Sequence, residues 1–142
     1  LWNILMLAQL IEFMTNHYLL SGAFVAALAL LVFSEGRRGA RSISNRELTS
    51  LVNGSQAVIV DIRAHKDFAA GHIVQALNIP QEKLAERMVE LEKHKSVTII
   101  VIDAAGQHAG SACRVLKEAG YEVVKLSAGI SGWRGDNLPV VK

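Results

Sequence analysis

The chain has a single cysteine, Cys113, and no Lys, Arg, Asp or Glu between Phe13 and Ser34. One thiol allows no disulfide within the chain and fits a reducing compartment. The charge-free stretch excludes a solvated surface helix there. Residues Tyr18 to Phe33 read Tyr-Leu-Leu-Ser-Gly-Ala-Phe-Val-Ala-Ala-Leu-Ala-Leu-Leu-Val-Phe, which approaches the roughly 20 apolar residues that cross a bilayer. A core helix would show a polar stripe and a cleaved signal peptide would start with basic residues; the run has neither. Residues 17–34 are therefore predicted to form one transmembrane helix, slightly short for the hydrocarbon thickness.

No Lys or Arg precedes that span, whereas Arg37, Arg38 and Arg41 follow it in a basic link, residues 35–41, that also holds Gly36 and Gly39. The positive-inside tendency then predicts a single pass with the C-terminal bulk in the cytoplasm. Ahead of the span, residues 1–16 are mostly apolar, with Gln9, Glu12 and Asn16 spaced three and four apart so that they line one side of a helix. Three arrangements of this segment remain open: an amphipathic helix in the membrane interface, an extension of the span, or a contact surface for another membrane protein. Position 1 is not an initiator Met, so the encoded start is expected upstream.

The sequence also lacks a dense basic face with interleaved aromatics. Residues 42–142 carry 12 Lys and Arg against 11 Asp and Glu, and nucleic acid is not an expected partner. No metal and no other cofactor is expected either, because Asp103, His108 and Cys113 do not follow a ligand spacing.

What the C-terminal part does contain is an alternation of strand and helix signals. Ser44-Asn-Arg-Glu47 has capping-box form and starts a short helix ended by Asn53-Gly54. Ala57–Asp61 is an apolar run of strand length, read as a central parallel strand. A helical turn follows near Lys66–Ala70, and Ala76–Ile79 is a short strand ended by Pro80. Gln81–His94 places Leu84, Met88 and Leu91 at spacings of four and three, the pattern of an amphipathic helix. Val97–Ile102 is a second long apolar strand, Ala109–Ala119 a helix stopped at Gly120, Val123–Leu126 another strand, and Ile130–Trp133 a closing helical turn. The order βαβαβαβα predicts a mostly parallel sheet with helices on both faces.

Between the second long strand and its helix lies Asp103-Ala-Ala-Gly-Gln-His108. A strand, a glycine-bearing turn and a helix N-terminus together aim backbone N–H groups at one point, where positive potential gathers. The residue delivered there is Asp103.

Four sets of residues carry a resemblance: Asp61-Ile-Arg63; Gly71-His-Ile73 with Asn78-Ile-Pro80; Gly129-Ile-Ser-Gly-Trp133; and Leu138-Pro-Val140. Together, in order and spacing, residues 42–142 resemble the rhodanese homology domain. One span followed by a single such domain is similar to the YibN-like membrane-anchored rhodanese-like proteins of bacteria, which implies residence in the bacterial inner membrane. The resemblance further implies a parallel sheet flanked by helices. It implies a loop that runs Cys-Arg-Ser-Gly-X-Arg and starts with a catalytic cysteine. Laid on this sequence without a gap, that cysteine falls on Asp103, the glycine on Gly106 and the last arginine on His108, with Ala104, Ala105 and Gln107 completing the cradle.

In an active member the cradle lowers the thiol pKa so that a thiolate can attack a sulfur donor and carry a persulfide. A carboxylate has no sulfur to donate and, ionised at neutral pH, repels thiosulfate-like anions. Ala104 and His108 in place of arginine-type donors weaken anion capture further. Aspartyl-phosphate chemistry at Asp103 would need a metal held by further carboxylates, and a general-base role lacks an acid partner. No catalytic residue is therefore expected. Cys113, the remaining thiol, lies with Ala109 and Leu116 at spacings of four and three, the pattern of a packed face. His108 is placed to hydrogen-bond Asp103. By the resemblance, His72 is a turn residue, Asp61 and Arg63 form a structural charge pair, and Trp133 is a packing anchor.

Two functions follow as expectations. The first is a membrane-anchored, catalytically inactive rhodanese-like module that binds or organises a partner at the cytoplasmic membrane face. Its partners would be the lipid bilayer and an integral membrane protein or membrane complex contacted through residues 1–34. The second is a sulfurtransferase or sulfur carrier working through Cys113.

Overall fold

The computed structural model describes residues 1–36 and 39–142. It divides into two compact units, Leu1–Arg38 and Gly39–Lys142. Arg37 and Arg38 of the expected basic link lie outside the described residues.

The N-terminal unit consists of two helices, α1 (Trp2–Asn16) and α2 (Tyr18–Gly36). They are separated by His17 and bent from one another by 100°. Among the described residues no single helix is long and apolar enough to cross a membrane; the bent pair Trp2–Asn16 and Tyr18–Ser34 meets that requirement only together. The single-span expectation for residues 17–34 is thus not confirmed, since the apolar part of α2, Tyr18–Ser34, meets the requirement only together with α1. At a rise of about 1.5 Å per residue, Tyr18–Ser34 extends about 25 Å, against a hydrocarbon core of about 30 Å. Nor does α1 continue α2 in a straight line.

The C-terminal unit is an α/β sandwich around a five-stranded parallel sheet in the order β1-β5-β4-β2-β3. The strands are β1 (Arg41–Ile43), β2 (Ala57–Asp61), β3 (Leu77–Asn78), β4 (Thr98–Ile102) and β5 (Val123–Leu126). The helices are α3 (Asn45–Asn53), α4 (His65–Ala70), α5 (Leu84–Arg87), α6 (Ala109–Glu118) and α7 (Gly129–Gly135). β4, between β5 and β2, is built of β-branched residues that stiffen an extended backbone. Its alternation splits the core: Ile99 and Val101 pack with Val60, Ala112, Cys113 and Leu116, and Ile100 and Ile102 pack with Ile59, Leu48, Ile130 and Trp133 on the other face. Period-two side-chain direction explains the split. Because both faces are covered, the strand reads as a continuous apolar run.

Three local features depart from the sequence reading. Arg41, expected in the link, begins β1, which pairs Arg41 with Val124 and Ile43 with Leu126. Only Ile43 of this strand is buried, so the sequence carries almost no strand signal and pairing to β5 decides. Secondly, Gln81–His94 is not one α-helix. It is a 3₁₀ turn (Gln81–Lys83), a single α-turn in α5, and a 3₁₀ segment over Met88–His94. The three-residue repeat keeps Met88 and Leu91 in one stripe, with Leu91 fully buried, and packing overrides the α-helical period. Finally, the Ser44 hydroxyl caps α3 by accepting the Glu47 N–H at 3.2 Å. The Glu47 carboxylate does not return to Ser44 but pairs with Arg41 at 2.7 Å, so only half of the capping box forms.

Candidate functional site

The parallel sheet delivers the ends of β2 and β4 side by side, with Asp61 paired to Ile102 in register. β4 is followed directly by Asp103, a buried carboxylate with 2% exposure. Its oxygens are fully engaged by the loop that follows. Oδ1 accepts the Gly106 N–H at 2.6 Å, and Oδ2 accepts the His108 N–H at 2.7 Å and the Ala109 N–H at 3.0 Å. Ala109 is the first residue of α6, so one oxygen also caps that helix and faces the positive end of its dipole. Hydrogen bonds to an ionised acceptor are the short, strong kind. The expected link between Asp103 and His108 exists, but through the His108 main chain and not its ring.

The next helix closes the loop from behind. The Asp103 carbonyl accepts the Ile130 N–H at 2.9 Å and the Ala104 carbonyl accepts the Ser131 N–H at 3.0 Å. Two glycines make this approach possible. Gly106 has φ +88°, and a Cβ there would run into the Ser127 carbonyl. Gly129 has φ +59°, and its Cβ would stand 2.7 Å from Asp103 Oδ1 and 2.8 Å from the Ala105 nitrogen. Ala104, Ala105, Gln107 and His108 are exposed and Gly106 half-buried. On the other side, the Ser111 hydroxyl donates to the His108 carbonyl at 3.1 Å and accepts from Gln81 Nε2 at 2.6 Å. Sequence reasoning missed Gln81, Ser111 and the Gly129–Asp103 contact; only the glycine, embedded in Gly129-Ile-Ser-Gly-Trp133, offered a signal.

The remaining residues singled out from sequence surround this loop as a scaffold. Asp61, 1% exposed, receives Arg63 Nε at 3.0 Å and its terminal nitrogen at 2.7 Å, and also the Arg63 main-chain N–H at 3.0 Å. That arginine also donates to the Gly71 carbonyl at 2.9 Å, which Arg134 shares at 3.3 Å. Asn78 ties off the carbonyls of Asp61 and Arg63 at 3.1 and 3.0 Å. The His72 ring stacks on Phe68 with centroids 3.7 Å apart, and its Nδ1 meets the Phe68 carbonyl at 2.8 Å. Its main chain pairs with Val141. Trp133 is buried and donates its indole N–H to the Pro139 carbonyl at 2.9 Å. Each of these groups is consumed by structure.

Cys113 lies inside α6 with no exposed surface. Burial pushes its thiol up to about 11, Lys125 opposes the shift, and Asp103 adds to it. A protonated thiol without solvent access is a poor nucleophile. Among the described residues, no group of three or more His, Cys, Asp or Glu side chains is placed to hold a metal ion. Chemically, then, the loop is an N–H cradle of the kind that binds anions, with a carboxylate of the same chain at its centre.

A parallel five-stranded α/β domain with a short cradle between a central strand and its helix defines the class. The rhodanese-like domain family matches residues 44–136, and the chain belongs to that family. It is similar to the YibN protein of Escherichia coli, 38% identical over 139 residues that cover 94% of this chain and 97% of that protein. A sulfurtransferase of Allochromatium vinosum is 34% identical over 92 residues, covering 64% of this chain and 84% of that one. Among solved structures, a rhodanese-related protein of Thermoplasma volcanium aligns with a TM-score of 0.65 at 29% identity, over 71% of this chain and 97% of that one.

Proposed function

We propose that this protein is a membrane-anchored rhodanese-like module without sulfurtransferase activity, which holds or organises a partner protein at the cytoplasmic face of a bacterial inner membrane. The observation that carries the reading is the saturation of the cradle. Three N–H groups that would hold a thiolate or an incoming anion are engaged by Asp103, and the position of the family nucleophile holds no sulfur. The membrane part of the reading is supported by the charge-free run from Phe13 to Ser34 and by apolar side chains exposed throughout α1 and along α2 to Phe33. The partner is an integral membrane protein or membrane complex, met laterally in the bilayer by residues 1–34.

A rhodanese assay with thiosulfate and cyanide tests the catalytic half. The wild type is expected to show no turnover, and Asp103→Cys, alone or with His108→Arg, is expected to gain it. Wild-type turnover that vanishes in Cys113→Ser would overturn the proposal. The partner half is tested by affinity purification in gentle detergent, comparing the full chain with a deletion of residues 1–16. Co-purified membrane proteins unchanged by the deletion would remove that segment from the interface.

A further inference from the structure

The corner between α1 and α2 has a consequence for how the chain meets lipid. α1 buries no residue, and Leu7, Ile11 and Met14 are between 44% and 59% exposed. At 100° per residue, Gln9, Glu12 and Asn16 fall within about 60° of one another, and Leu7, Ile11 and Met14 lie on the opposite arc. Glu12 is the only Asp, Glu, Lys or Arg in residues 1–34. The Thr15 hydroxyl turns back to the carbonyls of Ile11 at 3.1 Å and Glu12 at 3.0 Å, and Ser34 does the same to Leu31 at 2.9 Å. Such internal hydrogen bonds satisfy hydroxyls where water is scarce. The other polar side chains of α1 are Gln9, Glu12 and Asn16 in one stripe and Asn3 in the first turn.

We propose that α1 is an interfacial helix seated in the boundary between headgroups and acyl chains of a phospholipid bilayer, in the leaflet where α2 begins. Its Gln9–Glu12–Asn16 stripe faces headgroups and water, and Leu7, Ile11 and Met14 enter the acyl region. The inference rests on the membrane reading of α2 proposed above. Two observations select the interface over a straight extension of the span. The 100° bend lays α1 within about 10° of the membrane plane when α2 stands along the normal, an orientation interfacial helices adopt. The length also closes: the apolar stretch Tyr18–Ser34 of α2 falls about 5 Å short of a 30 Å hydrocarbon core, and an amphipathic interfacial helix sinks about 5–10 Å below the headgroup level. An α1 seated at that depth removes the mismatch that this stretch would otherwise impose on the bilayer.

The test uses the full chain in vesicles of phosphatidylethanolamine and phosphatidylglycerol, with spin labels at single introduced cysteines. Cys113 is buried, and unmutated protein treated with the label serves as the blank. Leu7→Cys, Ile11→Cys and Met14→Cys report one arc, Gln9→Cys and Asn16→Cys the other, and Leu28→Cys the middle of α2. Collision with oxygen and with a water-soluble nickel chelate is measured at each. The expected result is a several-fold excess of oxygen over nickel accessibility at positions 7, 11, 14 and 28, and the reverse at 9 and 16. Lipid-like values at 28 combined with uniform values along α1, whether all oxygen-rich, all nickel-rich or all low, would overturn the interfacial helix while leaving the anchor intact. Nickel accessibility at position 28 would overturn the anchor and the interfacial helix with it. Because the pattern is read from five positions on α1, the failure of one variant to insert leaves it decidable.

Discussion

Removing the Asp103 carboxylate is the sharpest perturbation of the cradle. Asp103→Ala deletes the acceptor of three N–H groups at 2.6, 2.7 and 3.0 Å. Hydrogen bonds to a charged acceptor contribute about 1.5–3 kcal/mol each, but three bonds to one carboxylate do not add in full. Relief is unequal among the donors: His108 is exposed and Gly106 half-buried, so water can replace their partner, whereas Ala109 is fully buried and its N–H is left without one. The loss of a helix cap accounts for about 1 kcal/mol of the total. A net destabilisation of about 3 kcal/mol follows. With a urea slope of about 1.5 kcal/mol/M, the unfolding midpoint falls by about 2 M. The assay is urea unfolding of the full chain in a Trp2→Phe background, followed by the fluorescence of Trp133, which is buried within α7, the helix that closes this loop. The same variant opens an anion site, so sulfate or thiosulfate should raise its midpoint and leave the wild type unchanged, as linkage requires for a ligand that binds only the folded state. A midpoint within 0.3 M of wild type, with no anion response, would refute the internal-anion account of this loop.

Other perturbations reach the supporting elements. Gly129→Ala sets a Cβ 2.7 Å from Asp103 Oδ1 at a φ of +59°, and a loss of about 2–3 kcal/mol is expected in a thermal melt, from backbone strain and overlap together. Arg63→Met leaves Asp61, 1% exposed, without its partner, and breaking such a pair is expected to cost about 3–5 kcal/mol; Asp61→Asn with Arg63→Met should recover part of that loss in the same unfolding assay. For Cys113, iodoacetamide at pH 8 should leave the native protein unmodified and label it fully in urea, read by mass spectrometry. The thiol is also a pH lever: its value is raised from about 9 to about 11 in the folded chain, so between these values the folded state binds more protons than the unfolded one. Stability is therefore retained below pH 9 and lost as pH rises toward 11, and Cys113→Ala should flatten that decline.

Much of the site was legible from residue order. Asp103 at the end of an apolar strand, Gly106 inside the turn and a helix starting at Ala109 require the N–H groups to converge near the carboxylate, whatever surrounds them. The Asp61–Arg63 pair and the packing role of Trp133 were likewise local or carried by a motif. By contrast, Ser111 and Gln81 are 30 residues apart and their bond depends on how the 3₁₀ turn after Pro80 docks beside α6. The same holds for Gly129, whose missing side chain matters because α7 closes on a loop 26 positions earlier in the chain.

The sequence by itself determined the alternation of elements, the class of the sheet and the absence of a thiol from the cradle, because hydrophobic period, turn residues and residue identity are local properties. Tertiary structure alone decided that Arg41–Ile43 is a strand, since an edge strand with a single buried side chain exists only through its partner β5. It decided the 3₁₀ winding of Met88–His94, where burial of Leu91 outweighs helical propensity. It also decided the 100° corner at His17, since the polar residues Thr15, Asn16 and His17 mark a break between two apolar runs but not its angle. Above all, it set the Asp103 carboxylate at hydrogen-bonding distance from three N–H groups, a geometry that only the joint packing of β4, α6 and α7 imposes.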